Sequence, residues 1–248
     1  MQQILTGAVS RRGVLRAAGG VLVASAFGPL AVAAEGDATS GFDADIGLDP
    51  GHSRADVGAS GAGVGEFEHT LDVARRVQRM LEASGLRVAM SRPDHRPLTS
   101  MSHSNATEMV RLEQEARIQA VGRVRAYVSL HFNGAGDPRT SGTETYFNVD
   151  NQGEASKSLA VSLQRALVDA MRSVGHDVAD RGVKSDLLAG KPYGHFFSLR
   201  GSVPSVLAEA LFLSNPTEAR LLLNEDVREA LAAGYARGIS EYLGSPSL

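Results

Sequence analysis

The chain has 248 residues, 43% of them hydrophobic and 21% charged, which excludes a largely disordered protein and allows one domain of ordinary size with a full core. Net charge is −3, and without the three arginines of the first 34 residues the remainder has 22 basic against 28 acidic residues, so there is no basic footprint for nucleic acid. There is no cysteine, which excludes disulfides and thiolate metal ligands and leaves His, Asp and Glu to hold any transition metal.

The N-terminus opens with Ser10-Arg11-Arg12-Gly13-Val14-Leu15-Arg16, then a mildly apolar run broken by glycine and proline, then the small-x-small site Ala31-Val32-Ala33. Basic, apolar, cleavage site is the order of an export signal, and the paired arginines resemble a twin-arginine signal over residues 1–34. The run is too short and too glycine-rich for a good membrane span. The reading is therefore an exported protein, in periplasm, cell wall or medium, with no lasting membrane anchor after cleavage. Residues 35–43 read as a flexible lead-in.

From residue 44 strands and helices alternate. Residues 44–48 are a first strand, stopped by Pro50 and Gly51. A loop rich in glycine and alanine (53–65) lets backbone approach a ligand closely. Leu71, Ala74, Val77 and Leu81 mark a helix seam that begins near Glu66 and ends at Gly85. Residues 86–90 are a second strand, and the proline- and serine-containing stretch after it reads as a surface loop. Met109, Leu112, Ala116 and Ile118 predict a helix, 125–132 a third strand and 142–149 another. Residues 155–174 are a long amphipathic helix. A polar turn with a short strand follows at 180–184, and a further short strand is expected at 194–199. Residues 204–211 are a buried strand, after which Asn215-Pro216 starts a helix with Glu218 at its third position, and 227–243 is the last helix. This alternation predicts an α/β fold, one three-layer domain over 44–244 with a mainly parallel central sheet of about six strands flanked by helices.

Two histidines follow apolar strands directly: His52 after Ile46-Gly47-Leu48-Asp49-Pro50-Gly51, and His131 after Ala126-Tyr127-Val128-Ser129-Leu130. In open α/β sheets reacting groups collect at such C-terminal strand ends. Either histidine alone is weak evidence. Jointly, with Glu66 or Glu68 opening the helix after the first, they give two imidazoles and a carboxylate, the donor set of a catalytic zinc site with one position left for water. Glu209 sits in the apolar run Val206-Leu207-Ala208-Glu209-Ala210-Leu211-Phe212, where a carboxylate is costly unless paired, for example with Arg181, or used as a general base.

Asp49-Pro50-Gly51-His52, the glutamate before the first helix, Val128-Ser129-Leu130-His131-Phe132-Asn133, Ser141-Gly142-Thr143-Glu144-Thr145-Tyr146 and the run from Val206 to Asn215 together resemble the zinc-dependent N-acetylmuramoyl-L-alanine amidases, the type-3 cell-wall amidases. The resemblance covers nearly all of the chain after residue 43. It implies one Zn²⁺ held by His52, Glu66 and His131, with Glu209 as the catalytic glutamate. The choice of Glu66 over Glu68 rests on its standing five residues before Leu71. The implied reaction cuts the amide between N-acetylmuramic acid and L-alanine of the peptidoglycan stem peptide. Asn133, Asp180 and Arg181 are expected substrate or supporting contacts, and the protein is expected to be a monomer. Three departures from the family stand out. Ser53-Arg54-Ala55-Asp56-Val57 replaces a more glycine-rich rim, residues 97–112 are long enough for a flap, and 181–204 is short for the inserted helix that blocks the site in regulated members. The competing readings are a zinc carboxypeptidase acting on stem peptides and a non-catalytic wall-binding protein, but the latter would be expected to lack the base.

Overall fold

The computed structural model describes residues 41–100, 102 and 105–245. The expected signal lies outside these residues, and of the lead-in only 41–43 is described. Within it, Asp43 is already tied to Arg123, whose backbone N–H donates to its carboxylate at 2.9 Å.

Six strands form one sheet. β1 is Ala44–Pro50, β4 Val88–Met90, β5 Val124–Asn133, β6 Thr143–Phe147, β7 Asp180–Ser185 and β8 Ser205–Phe212, in the order β4-β1-β5-β8-β6-β7. The first four are mutually parallel, β6 runs antiparallel to β8, and β7 follows β6 in parallel. The expected α/β fold with a mainly parallel six-stranded sheet is thus observed. A two-stranded ribbon, β2 Ser60–Gly61 and β3 Val64–Gly65, lies within the small-residue loop after β1. No strand forms at 194–199, where a 3₁₀ turn spans Phe197–Leu199; with a carboxylate below and an arginine above, this segment bonds to side chains instead of to a sheet edge.

The two faces of the sheet are unequal. Ile46 and Leu48 of β1, Ala126, Val128 and Leu130 of β5, and Val206, Ala208 and Ala210 of β8 face the main core. That core is closed by α1 (Glu66–Ala83), α3 (Gly153–Ser173) and α5 (Glu225–Leu243), with α4 (Pro216–Leu221) beside β8. Each fully buried Leu or Val contributes roughly 1.5–3 kcal/mol, so these positions commit the register of all three strands. α3 and α5 approach closely enough that a Cβ on Gly238 would stand 2.9 Å from the Leu163 Cα. The alternate residues, among them Asp49, Tyr127, Ser129, His131, Leu207 and Glu209, face a thinner layer made by α2 (Ala106–Ala120) and the 3₁₀ turn at Phe197–Leu199. That layer leaves the C-terminal ends of β5 and β8 uncovered.

α2 does not bury the apolar seam expected of it. Leu112 is exposed, and the residues turned inward are Glu113 and Arg117. Glu113 accepts from the backbone N–H groups of Leu98 and Thr99, so the 97–112 stretch, expected to be flap-like, is tied loop up to Thr99 and helix from Ala106. Arg117 reaches under the turn after β1. Its guanidinium donates to the carbonyls of Pro50 at 2.7 Å and His52 at 2.6 Å and pairs with Asp49 at 3.3 Å. Arg92, in the expected surface loop, is instead completely buried and donates to the carbonyls of Pro50, Gly51 and Phe67. Burial, and then the like charge of Arg117, lower its guanidinium to about 10. The hydroxyls of Ser91 and Ser129 satisfy Asp49, each at 2.6 Å.

Arg117→Met leaves Asp49 and Glu113 buried without their shared cation. The expected loss is about 3 kcal/mol in urea unfolding, and a change below about 1 kcal/mol would contradict the clamp described here.

Candidate active site

The clamped turn presents His52 in the left-handed backbone region, at φ 62°. A non-glycine residue held there costs of order 1–3 kcal/mol and persists where the surroundings over-determine it; here the two buried arginines hold the carbonyls on either side. The His52 imidazole bonds through Nδ1 to Asp56 at 2.9 Å and brings Nε2 to 3.3 Å from Glu66 Oε2.

Glu66 is the first residue of α1 and is buried. Its Oε2 accepts from the Ala59 N–H at 2.7 Å, and its Oε1 accepts from the Phe132 N–H and stands 3.0 Å from His131 Nδ1. The Phe132 N–H is directed there at an irregularity in β5, where the register against β8 shifts between His131 and Asn133. Gly58, at φ 69°, passes so close that a Cβ would lie 2.3 Å from Glu66 Oε2. Glu68, two residues on, is exposed and outside the cluster.

His52, Glu66 and His131 therefore form a group whose ligand atoms all lie within 4.8 Å of one another, close enough to hold one metal ion. Burial pulls the His52 imidazole down, but the carboxylates of Asp56 and Glu66 outweigh it and raise it to about 10. Burial works against the Glu66 charge too, yet the two histidines hold its carboxyl well below the usual range.

Glu209 is placed by the sheet itself. It is paired in register with His131 on β5 and with Glu144 on β6, so the three side chains form a row across neighbouring strands. Its Oε2 is enclosed and has no hydrogen-bond partner among the described residues. Burial, and then the negative charge of Glu66, raise its carboxyl well above the ordinary value. The pairing with Arg181 considered from sequence is not made. Arg181 Nε and Lys184 Nζ both donate to Glu144 Oε2 at 2.6 Å, while Asn133 Nδ2 and the Tyr146 hydroxyl donate to Oε1 at 2.7 Å.

A cleft of about 420 Å³ opens over this row. His52, Asp56 and His131 form one side, Glu209, Asn133 and Tyr146 the floor, and Lys191, Tyr193 and Phe196 the far wall. Of the three expected substrate contacts, Asn133 lines the cleft and Arg181 lies behind it with Glu144. Asp180 is turned away, accepting from Gln164 of α3 at 2.6 Å; it pairs with Thr143 ahead of a register irregularity in β7, past which Lys184 turns to Glu144. Sequence reasoning missed the supports: Asp56, Arg92, Arg117, Glu144 and the wall at 191–196. Asp56 had a signal, a carboxylate four residues after a candidate ligand; the arginines had none.

Comparison with known proteins identifies the family of the fold. The family model described as N-acetylmuramoyl-L-alanine amidase matches residues 46–241. An uncharacterized protein of Bacillus subtilis (strain 168), YqiI, is 33% identical over 196 residues, covering 79% of this chain and 82% of the relative. The N-acetylmuramoyl-L-alanine amidase LytC of the same organism is 31% identical over 79% of this chain, which spans only 34% of LytC. Among solved structures, the catalytic domain of the N-acetylmuramoyl-L-alanine amidase CwlV from Bacillus (Paenibacillus) polymyxa var. colistinus superposes with a TM-score of 0.62 at 28% identity, covering 81% of this chain and 98% of that one. By the extent of the family match and the near full-length relative, the chain belongs to the N-acetylmuramoyl-L-alanine amidase family.

Proposed function

We propose that this protein hydrolyses peptidoglycan at the amide between the lactyl group of N-acetylmuramic acid and L-alanine of the stem peptide, using one Zn²⁺ and Glu209. The observation that supports this best is the His52–Glu66–His131 cluster beside the partnerless Oε2 of Glu209, in a chain of this family. The donor set suits zinc: two imidazoles, one carboxylate and no thiol, with no fourth protein donor in the cluster among the described residues. The raised His52 value fits as well, since a proton sits where the carboxylates call for positive charge.

His52, Glu66 and His131 would hold the ion, with Asp56 fixing the His52 ring through Nδ1. An ion held there would supply Lewis acidity, lowering the pKa of a water and polarising the scissile carbonyl. Glu209 takes the proton from the attacking water and gives it to the departing L-alanine amine. A carboxyl raised by burial is suited to both accepting and releasing it. Glu144, already neutralised by Arg181 and Lys184, is not free to compete as base. Asn133, on the cleft floor, is positioned to meet substrate, and Arg181 acts through Glu144. We further infer that residues 1–34 export the chain to the wall as a monomer. No described helix is long and apolar enough to cross a membrane.

Incubating the purified protein with peptidoglycan and Zn²⁺ should release stem peptides with a free L-alanine amine, read by mass spectrometry. Glu209→Gln and a chelated sample should lose at least about 10²-fold in rate. Trimmed peptides still joined to muramic acid would show a peptidase instead.

Metal uptake should itself depend on pH. His52 is protonated in the metal-free protein up to about 10, and only neutral imidazole binds metal. Zinc affinity should therefore rise about tenfold per pH unit between about pH 7 and 9, with a proton released on binding in calorimetry. A pH-independent affinity would contradict the protonated resting state.

The segment between β7 and β8 contains two 3₁₀ turns, Asp186–Ala189 and Phe197–Leu199, and no longer helix. We infer that no autoinhibitory helix fills the cleft, so the zinc-loaded protein should work at full rate alone. A large acceleration by an added activator protein would overturn this.

A further inference from the structure

The far wall of the cleft is built more firmly than a surface connection requires. Fully buried Asp186 accepts from the Phe196 N–H at 2.9 Å and bonds His195 Nδ1 at 2.7 Å. Arg200 donates to the carbonyls of Tyr193 and His195 at 2.7 and 2.8 Å, and its guanidinium lies 4.3 Å from the Phe197 ring centroid. The Tyr193 and Phe197 rings stack at 4.3 Å. This braced wall carries Lys191, which lines the same cleft as Glu209. The ammonium stands 6.0 Å from the Phe196 ring centroid and forms no ion pair among the described residues, though its charge reaches Glu209 and partly offsets the rise of that carboxyl. The neighbouring cations differ in this respect. Arg181 and Lys184 are committed to Glu144, and Arg117 to Asp49 and Glu113.

We propose that Lys191 is a specificity-determining residue that binds a carboxylate of the stem peptide. This rests on the amidase reading and deepens it. In that substrate the lactyl carboxyl is consumed by the scissile amide, so the adjoining sugar is uncharged and the negative groups all lie on the peptide side. A cation that lines the cleft without an ion pair is therefore matched to the peptide, which orients the substrate across the cleft with its sugar away from Lys191. A lysine suits the task because its ammonium is a point charge with rotatable donors on a flexible stem; it reads the sign of a group without demanding one planar geometry.

The test compares two soluble muramoyl tripeptides, one with free peptide carboxylates and one with every peptide carboxyl amidated, using zinc-loaded protein. The wild type should favour the free form by about tenfold in kcat/KM, mainly through KM. Lys191→Met should bring that ratio to within about twofold, and Lys191→Arg should keep most of it. A wild-type ratio near one, or a ratio unchanged in Lys191→Met, overturns the assignment and leaves the amidase reading intact. Cleavage of neither tripeptide by a protein that also releases no stem peptides from peptidoglycan overturns the amidase reading and the inference with it.

Discussion

The active site depends on a buried cation beneath a turn. Arg117 joins the carboxylates of Asp49 and Glu113 to the carbonyls of Pro50 and His52, and Arg92 completes the clamp from the other side. Such charges are stable in an interior only when nearly every donor finds an acceptor. Here the acceptors are the carbonyls that a strand ending in Pro50 and Gly51 leaves without a ladder partner. The same bonds answer two costs, the desolvated guanidiniums and the unpaired backbone. As a result His52 is held in a backbone conformation it would not otherwise adopt.

The rest of the site follows from the unequal coverage of the sheet. Three long helices seal one face and fix strand register through apolar side chains. The opposite face receives the alternate residues of the same strands, and α2 covers only part of it. His131 and Glu209 are neighbours because their strands are in register, so the geometry between histidine and carboxylate is as rigid as the core behind them. His52 and Glu66 come from a turn and a helix start, which need separate fixing. Asp56, Ala59 and Phe132 supply it.

Much of this was legible in the sequence where hydrophobic burial sets the pattern. The strands ending near His52 and His131, the seam of α1 and the Asn215-Pro216 helix start all obey simple periodicity or capping, and Asn215 does accept from Thr217 and Glu218. Reading failed where polar bonding replaces apolar burial. α2 shows an apolar seam, yet it buries Glu113 and Arg117, because the groups they meet are carboxylate, carbonyl and loop N–H. Arg92 looks like loop surface for the same reason. At Phe197–Leu199 an expected strand is a 3₁₀ turn, since Asp186 and Arg200 take up the backbone groups a sheet would have used. Asp180 was placed near the chemistry by chain position, but it lies ahead of a register irregularity in β7 and turns to Gln164 on the helix side.

The position of Glu144 has a consequence for motion. It lies directly across from Glu209, and the two cations that balance it, Arg181 and Lys184, belong to β7, one of the two edge strands of the sheet. Outer strands are bonded on one side only and open at lower free energy than the core. Each transient opening of β7 would strip the counterions from Glu144 and leave an exposed negative field beside Glu209, the proposed base. Warming would then erode turnover through charge imbalance at a sheet margin while the helix-covered core was still intact.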